Sequence, residues 1–151
     1  MESVHKAQLK WGQGIVDIGA AKTNGGDFVG RATEHIKELY AYDLEDKTVH
    51  FKPTKCEFRQ FRPTFAGALS YFVGGNDDFP EDKGFAIAPW IDVKFINSTI
   101  EAYGNVAIAM GNYYFTQPDG GIVKVEYTFG YLTDADMKIV LHHSSLPFSN
   151  G

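Results

Sequence analysis

The chain has 151 residues, of which 44% are hydrophobic and 22% charged, a composition that fits one folded domain over residues 1–151 and excludes a largely disordered polypeptide. Its net charge of -5 provides no basic patch for nucleic acid or an anionic membrane surface. Cys56 is the only cysteine, so an intrachain disulfide and a four-cysteine zinc cluster are excluded, and of metal sites only a His-rich or carboxylate-assisted one stays open.

The N-terminus lacks the basic, apolar and small-residue progression of a signal peptide, and a reducing compartment is the simplest setting. The longest apolar stretches, 85–91 and 106–110, are far below the roughly 18 residues of a membrane span. The outlying feature is the aromatic content: 12 Phe, 8 Tyr and 2 Trp predict a core or pocket walled by rings.

The first forty residues predict two helices. Ala7, Trp11, Ile15 and Ile18 recur at helical spacing, with Ser3 as a candidate cap. Asn24-Gly25-Gly26 interrupts the pattern, and Asp27 can cap a second stripe of Phe28, Ala32, Ile36, Leu39 and Tyr40. A strand is expected over 48–56, with Pro53 bending its far end. A third helix is expected within 62–73, Phe65, Leu69 and Phe72 marking one face and Thr64, Ala68 and Tyr71 an adjacent one. Gly74-Gly75-Asn76-Asp77-Asp78, with Pro80, is loop chemistry and the expected mobile segment.

Four strands then follow at 88–97, 106–116, 122–132 and 137–146, joined by turns rich in Gly, Asn and Asp. Alternation is clearest in the third, where Val123, Val125, Tyr127, Phe129 and Tyr131 oppose Lys124, Glu126 and Thr128. Helices first and a long meander last predict an α+β fold with helices packed on one face of a curved antiparallel sheet.

The strongest polar cluster is His142-His143-Ser144-Ser145. Strict alternation from Ile139 and Leu141 sends His143 and Ser145 to the interior and turns His142 and Ser144 away. An imidazole and a hydroxyl on an apolar wall can hold a water or small oxyanion; a buried histidine bonded to a backbone carbonyl fits the motif equally well. The two histidines face opposite sides, poor geometry for a shared metal. Thr54 and Tyr71 add neutral donors suited to a small polar ligand, although such residues commonly serve structure alone.

Six segments in order are similar to one family: Phe51-Lys52-Pro53-Thr54-Lys55, Ser70-Tyr71-Phe72-Val73-Gly74, Glu81-Asp82-Lys83-Gly84-Phe85, Ala109-Met110-Gly111-Asn112-Tyr113, Val125 to Tyr131 and His142-His143-Ser144-Ser145. Together they resemble the iota-class carbonic anhydrases, within the group related to the calcium/calmodulin-dependent kinase II association domain, over residues 5–148. The resemblance implies a cone-shaped nuclear transport factor 2-like fold and reversible hydration of carbon dioxide to bicarbonate. It also implies a pocket formed by Thr54, Tyr71 and Ser145 with His143 nearby, as catalytic and substrate-binding groups. No metal is expected, manganese or zinc being the alternative. Many relatives in that family carry a third histidine where this chain has Leu141, which removes one potential ligand. A homodimer through the outer face of the sheet is implied, in the cytoplasm, or in the chloroplast if a transit peptide was removed from an algal precursor.

Two other functions fit the same fold. One is a non-catalytic oligomerisation module. The other is an isomerase or hydrolase of a larger organic ligand, which would need a deep acid such as Asp17, Asp92 or Glu126.

Overall fold

The computed structural model describes residues 2–150. Helix α1 spans Glu2–Thr23 and buries Val4, Trp11, Ile15 and Ile18, the spacing its sequence carries. The candidate cap Ser3 lies inside this helix. Helix α2 spans Phe28–Leu39, and the Asp27 carboxylate accepts from the Gly30 amide at 2.9 Å, satisfying a donor that the first turn leaves free. The two helices approach closely at Gly14, where any Cβ would collide with the His35 ring.

Helix α3 spans Phe65–Val73. Thr64, expected on a helix face, is instead its N-cap, accepting from the Gly67 amide at 3.1 Å. Residues 62 and 63 therefore precede the helix.

The sheet contains β1 (His50–Lys52), β2 (Asp92–Tyr103), β3 (Val106–Thr116), β4 (Ile122–Leu132) and β5 (Lys138–Ser145), in the spatial order β1-β5-β4-β3-β2. Strands β2 to β5 form an antiparallel meander, and the short β1 adds to its edge in parallel with β5, pairing Phe51 with His142. Two strands differ from the sequence expectation by more than one residue at an end. β1 is three residues long because Pro53 removes the next ladder donor. β2 starts four residues later than expected and continues to Tyr103, passing a bulge between Asn97 and Thr99 instead of ending there. Gly111 faces that bulge, and a side chain at Gly111 would run into the Ile96 carbonyl.

A second bulge lies in β5. Gly130 pairs with Leu141 while Tyr131 pairs with Ile139, so Val140 is an extra residue. A bulge of one residue reverses the alternation beyond it. This bulge decides which side chains of the His-His-Ser-Ser motif face inward.

The helices pack on one face of the sheet, and the buried hydrophobic side chains form one contiguous cluster. The inward residues of β3 and β4 supply its rings: Tyr113, Phe115, Tyr127, Phe129 and Tyr131. The 15% aromatic content is thus mostly core.

His35 is buried between the rings of Trp11 and Phe72, and its Nε2 has no hydrogen-bond partner. Burial, aided by repulsion from Arg31, lowers its pKa to about 3. An unfolded histidine titrates near 6.5, so between these values the unfolded chain binds a proton that the folded chain refuses. Stability therefore falls as pH drops below 6.5 and levels off near 3. By pH 5 the loss from this one group reaches about 2 kcal/mol. Urea unfolding at pH 7.5 and 5 will show the loss, and His35→Gln will remove that share of it.

Candidate active site

Residues 53–64 connect β1 to α3 and carry Thr54. A buried ion pair holds this segment. The Arg62 side chain, fully buried, donates to both Asp82 carboxylate oxygens at 2.7 and 2.8 Å. It also donates to the carbonyls of Gly67 and Arg59 and to Cys56 Sγ, occupying all five guanidinium N–H groups. Asp82 accepts further from Ser70 of α3 at 2.6 Å. Beside it, the Glu81 carboxylate accepts the backbone N–H groups of Glu57, Phe58 and Arg59, which hold its pKa below the usual range. The Gly74–Pro80 loop leads into this clamp, while its Asp77 and Asp78 face solvent.

With the segment fixed, Thr54 Oγ1 lies 2.5 Å from Ser144 Oγ. Tyr113, pointing inward from β3, donates its hydroxyl to Ser144 Oγ at 2.5 Å and lies 3.0 Å from His142 Nε2. Tyr40, just after α2, lies 2.8 Å from His142 Nδ1 and accepts from Trp11 Nε1 at 2.9 Å. Tyr71, on α3, accepts from the Lys55 amide at 3.2 Å.

These groups border a cavity of about 10 Å³, room for one water-sized molecule. Its polar lining is Thr54, Tyr71, Tyr113, His142 and Ser144, and its apolar walls include Trp11, Phe51, Phe72 and Phe85. Tyr71 and Phe85 also line a larger outer cleft of about 620 Å³, with Lys55 and Lys83 at its side.

Of the four residues expected at the site, Thr54 and Tyr71 line the cavity. His143 and Ser145 do not. The bulge at Val140 turns them to the outer face, where His143 is exposed and Ser145 donates to Glu126 at 3.0 Å. His142 and Ser144 take the inward positions and are 2% and 1% exposed. Tyr40 and Tyr113 were not singled out as polar groups, because an inward tyrosine in an aromatic strand reads as core. The one available signal was Tyr113 closing a segment that resembles the family.

Burial dominates the electrostatics. It pushes the Tyr71 and Tyr113 phenols well above their ordinary range, so both remain O–H donors at neutral pH. It lowers the His142 pKa well below 6.5, with smaller contributions from His143 and His35, leaving a neutral imidazole. No carboxylate lines the cavity. Asp17 pairs with Arg31 at 3.2 Å, Asp92 is exposed, and Glu126 lies on the outer face. A deep acid, as an isomerase of larger ligands would use, is missing from this cavity. Among the described residues no group of three or more His, Cys, Asp or Glu is arranged to hold a metal ion.

Comparison with known proteins meets this geometry. The family model for metal-independent carbonic anhydrase matches residues 2–146. The chain belongs to that family. It is 40% identical over 145 residues to the metal-independent carbonic anhydrase of Nostoc sp., covering 94% of this chain and 71% of the relative. Its fold matches the crystal structure of a cyanobacterial iota-carbonic anhydrase complexed with bicarbonate at a TM-score of 0.94. That match has 38% identity and covers 99% of this chain and 93% of the other. A calcium/calmodulin-dependent protein kinase II association domain from Xanthomonas campestris shares the fold at a TM-score of 0.56 and 20% identity, over 91% of this chain and 80% of that one. The α+β fold with helices on one sheet, and the family to which the six sequence segments are similar, are both borne out. No described helix is long and apolar enough to cross a membrane.

The inward and outward serines can be told apart chemically. In folded protein, a thiol-directed reagent will label Ser145→Cys rapidly and leave Ser144→Cys protected. Cys56 adds little background, since burial raises its thiol pKa to about 11.

Proposed function

We propose that this cavity hydrates carbon dioxide reversibly to bicarbonate without a metal, with Thr54, Ser144 and Tyr71 as the groups that contact substrate. The observation that carries the reading is the Thr54–Ser144–Tyr113 hydroxyl cluster between aromatic walls: the inner cavity has room for the one water, and the adjoining cleft, which shares Tyr71 and Phe85, admits carbon dioxide beside it. Carbon dioxide is apolar and fits against such walls, whereas bicarbonate and the transition state leading to it carry negative charge on oxygen. Hydroxyl donors already fixed in a dry cavity stabilise that charge without reorganising. The attacking water is oriented by the same hydroxyls, and its proton leaves to solvent as the overall reaction requires. The roles that the family resemblance suggested for His143 and Ser145 pass to His142 and Ser144, because only these reach the cavity.

The decisive measurement is stopped-flow carbon dioxide hydration on chelator-treated protein verified as metal-free by elemental analysis. Ser144→Ala is expected to lose activity on the order of 100-fold, the scale of one oxyanion donor, while Ser145→Ala keeps the parental rate. Equal rates for Ser144→Ala and the parent would overturn the assignment.

The outer face of the sheet supports a homodimer. Ile96 and Met110 project from neighbouring strands and are 48% and 51% exposed. Ile108 and Tyr114 lie on the same face and are half-buried. A two-fold pairing of this face would cover these apolar side chains. Light scattering is expected to give twice the chain mass for the parent and a single-chain mass for Met110→Asp.

A further inference from the structure

The hydrogen bonds that converge on His142 have a direction. Trp11 Nε1 can only donate, and its partner is the Tyr40 hydroxyl oxygen at 2.9 Å. Tyr40 has one hydroxyl hydrogen, and its other polar neighbour is His142 Nδ1 at 2.8 Å. That hydrogen is therefore donated to Nδ1, which must be the unprotonated ring nitrogen. At the far side, Tyr113 donates its single hydrogen to Ser144 Oγ, so it can only accept from His142 Nε2 at 3.0 Å. Both ends lead independently to one tautomer, protonated at Nε2. The opposite tautomer would leave the Tyr40 hydroxyl hydrogen buried without an acceptor and Tyr113 facing a ring nitrogen with no hydrogen between them.

We infer that Trp11 is a positioning residue that fixes the Nε2–H tautomer of His142 and thereby orients the whole chain Trp11–Tyr40–His142–Tyr113–Ser144–Thr54 toward the cavity. With Tyr113 donating to Ser144, the Ser144 hydrogen passes to Thr54 Oγ1 at 2.5 Å. Thr54 is the last member, and its own hydrogen faces the cavity and the Tyr71 hydroxyl beside it. Tyr71 is set the same way: it accepts from the Lys55 amide, so its hydroxyl hydrogen is available to the cavity. The neutral state of His142, enforced by burial, is what allows one nitrogen to accept while the other donates.

Two consequences follow for the chemistry. The site presents donors, as an anionic product needs, because a donor-only indole starts the chain. His142 is not the base that takes the proton of the attacking water: Nδ1 is occupied by Tyr40 and Nε2 already carries hydrogen. Its function is to transmit orientation between two tyrosines.

This inference rests on the proposed anhydrase site, but its test reads the resting protein and is independent of activity. Protein with 15N-labelled histidine is examined by NMR, His142 being assigned by its loss in His142→Gln. The parent is expected to show an unprotonated Nδ1 and a protonated Nε2 at pH 7.5. Trp11→Phe keeps an aromatic ring without the donor and is expected to give a mixed tautomer population. It should also lose roughly 5- to 10-fold in kcat, the scale of one net hydrogen bond. Tyr40→Phe removes the link without large volume change and serves if Trp11→Phe fails to fold. A parent protonated at Nδ1, or a tautomer unchanged in the folded variants, overturns the inference. Loss of hydration activity from the parent preparation alone would count against the function and leave the tautomer result standing.

Discussion

Everything at the site depends on one buried neutral imidazole with both nitrogens satisfied. His142 stacks on Phe51 at 4.7 Å and packs against Phe129 at 4.2 Å, with Trp11 meeting it edge-on. Burying an unpaired polar ring here would cost several kcal/mol, so Tyr40 and Tyr113 must be where they are. Those two contacts, with the bond from Trp11 to Tyr40, tie α1, the end of α2, β3 and β5 to a common point. The dry surroundings that make His142 demanding also make each of its hydrogen bonds strong and directional.

A second constraint holds the opposite wall. Thr54 sits on an irregular segment, and such segments are usually the mobile part of a domain. Here the buried Arg62–Asp82 pair and the Glu81 carboxylate occupy the segment's free backbone and side-chain donors. Asp82 also holds Ser70, one residue before Tyr71 on α3. The same carboxylate therefore sets the spacing between the Thr54 wall and the Tyr71 wall. A rigid cavity of one-water size needs such a clamp, because an error of an ångström would close it or flood it.

In a metal-independent carbonic anhydrase, acidification of water by a Lewis acid is not the route, and on the proposed reading orientation and donor placement carry the catalysis. Phenols and hydroxyls are weak acids that burial weakens further. That makes them poor proton sources and dependable donors. On the same reading the aromatic walls exclude competing water and accept an apolar substrate. The result is a site built from hydroxyls, one imidazole and rings, in keeping with the composition of the chain.

Much of this was legible in the sequence. Helical spacing marked Trp11, Ile15 and Ile18; Asp27 marked a cap; strict alternation in β4 placed Val125, Tyr127 and Phe129 inside. Six short segments carried the family, and two of them hold Thr54 and Tyr71, which line the cavity. These features are local, set by the period of a helix or strand and by the side chains of a few neighbouring residues. What the linear pattern could not decide was which half of His142-His143-Ser144-Ser145 faces the core. An extra residue at Val140, defined only by pairing with β4, reverses the alternation between Ile139 and His142. The chain by itself determined the fold, the family and the kinds of groups at the site. Only tertiary pairing, through that bulge and through partners 102 and 29 residues away from His142, decided which histidine and which serine face the cavity.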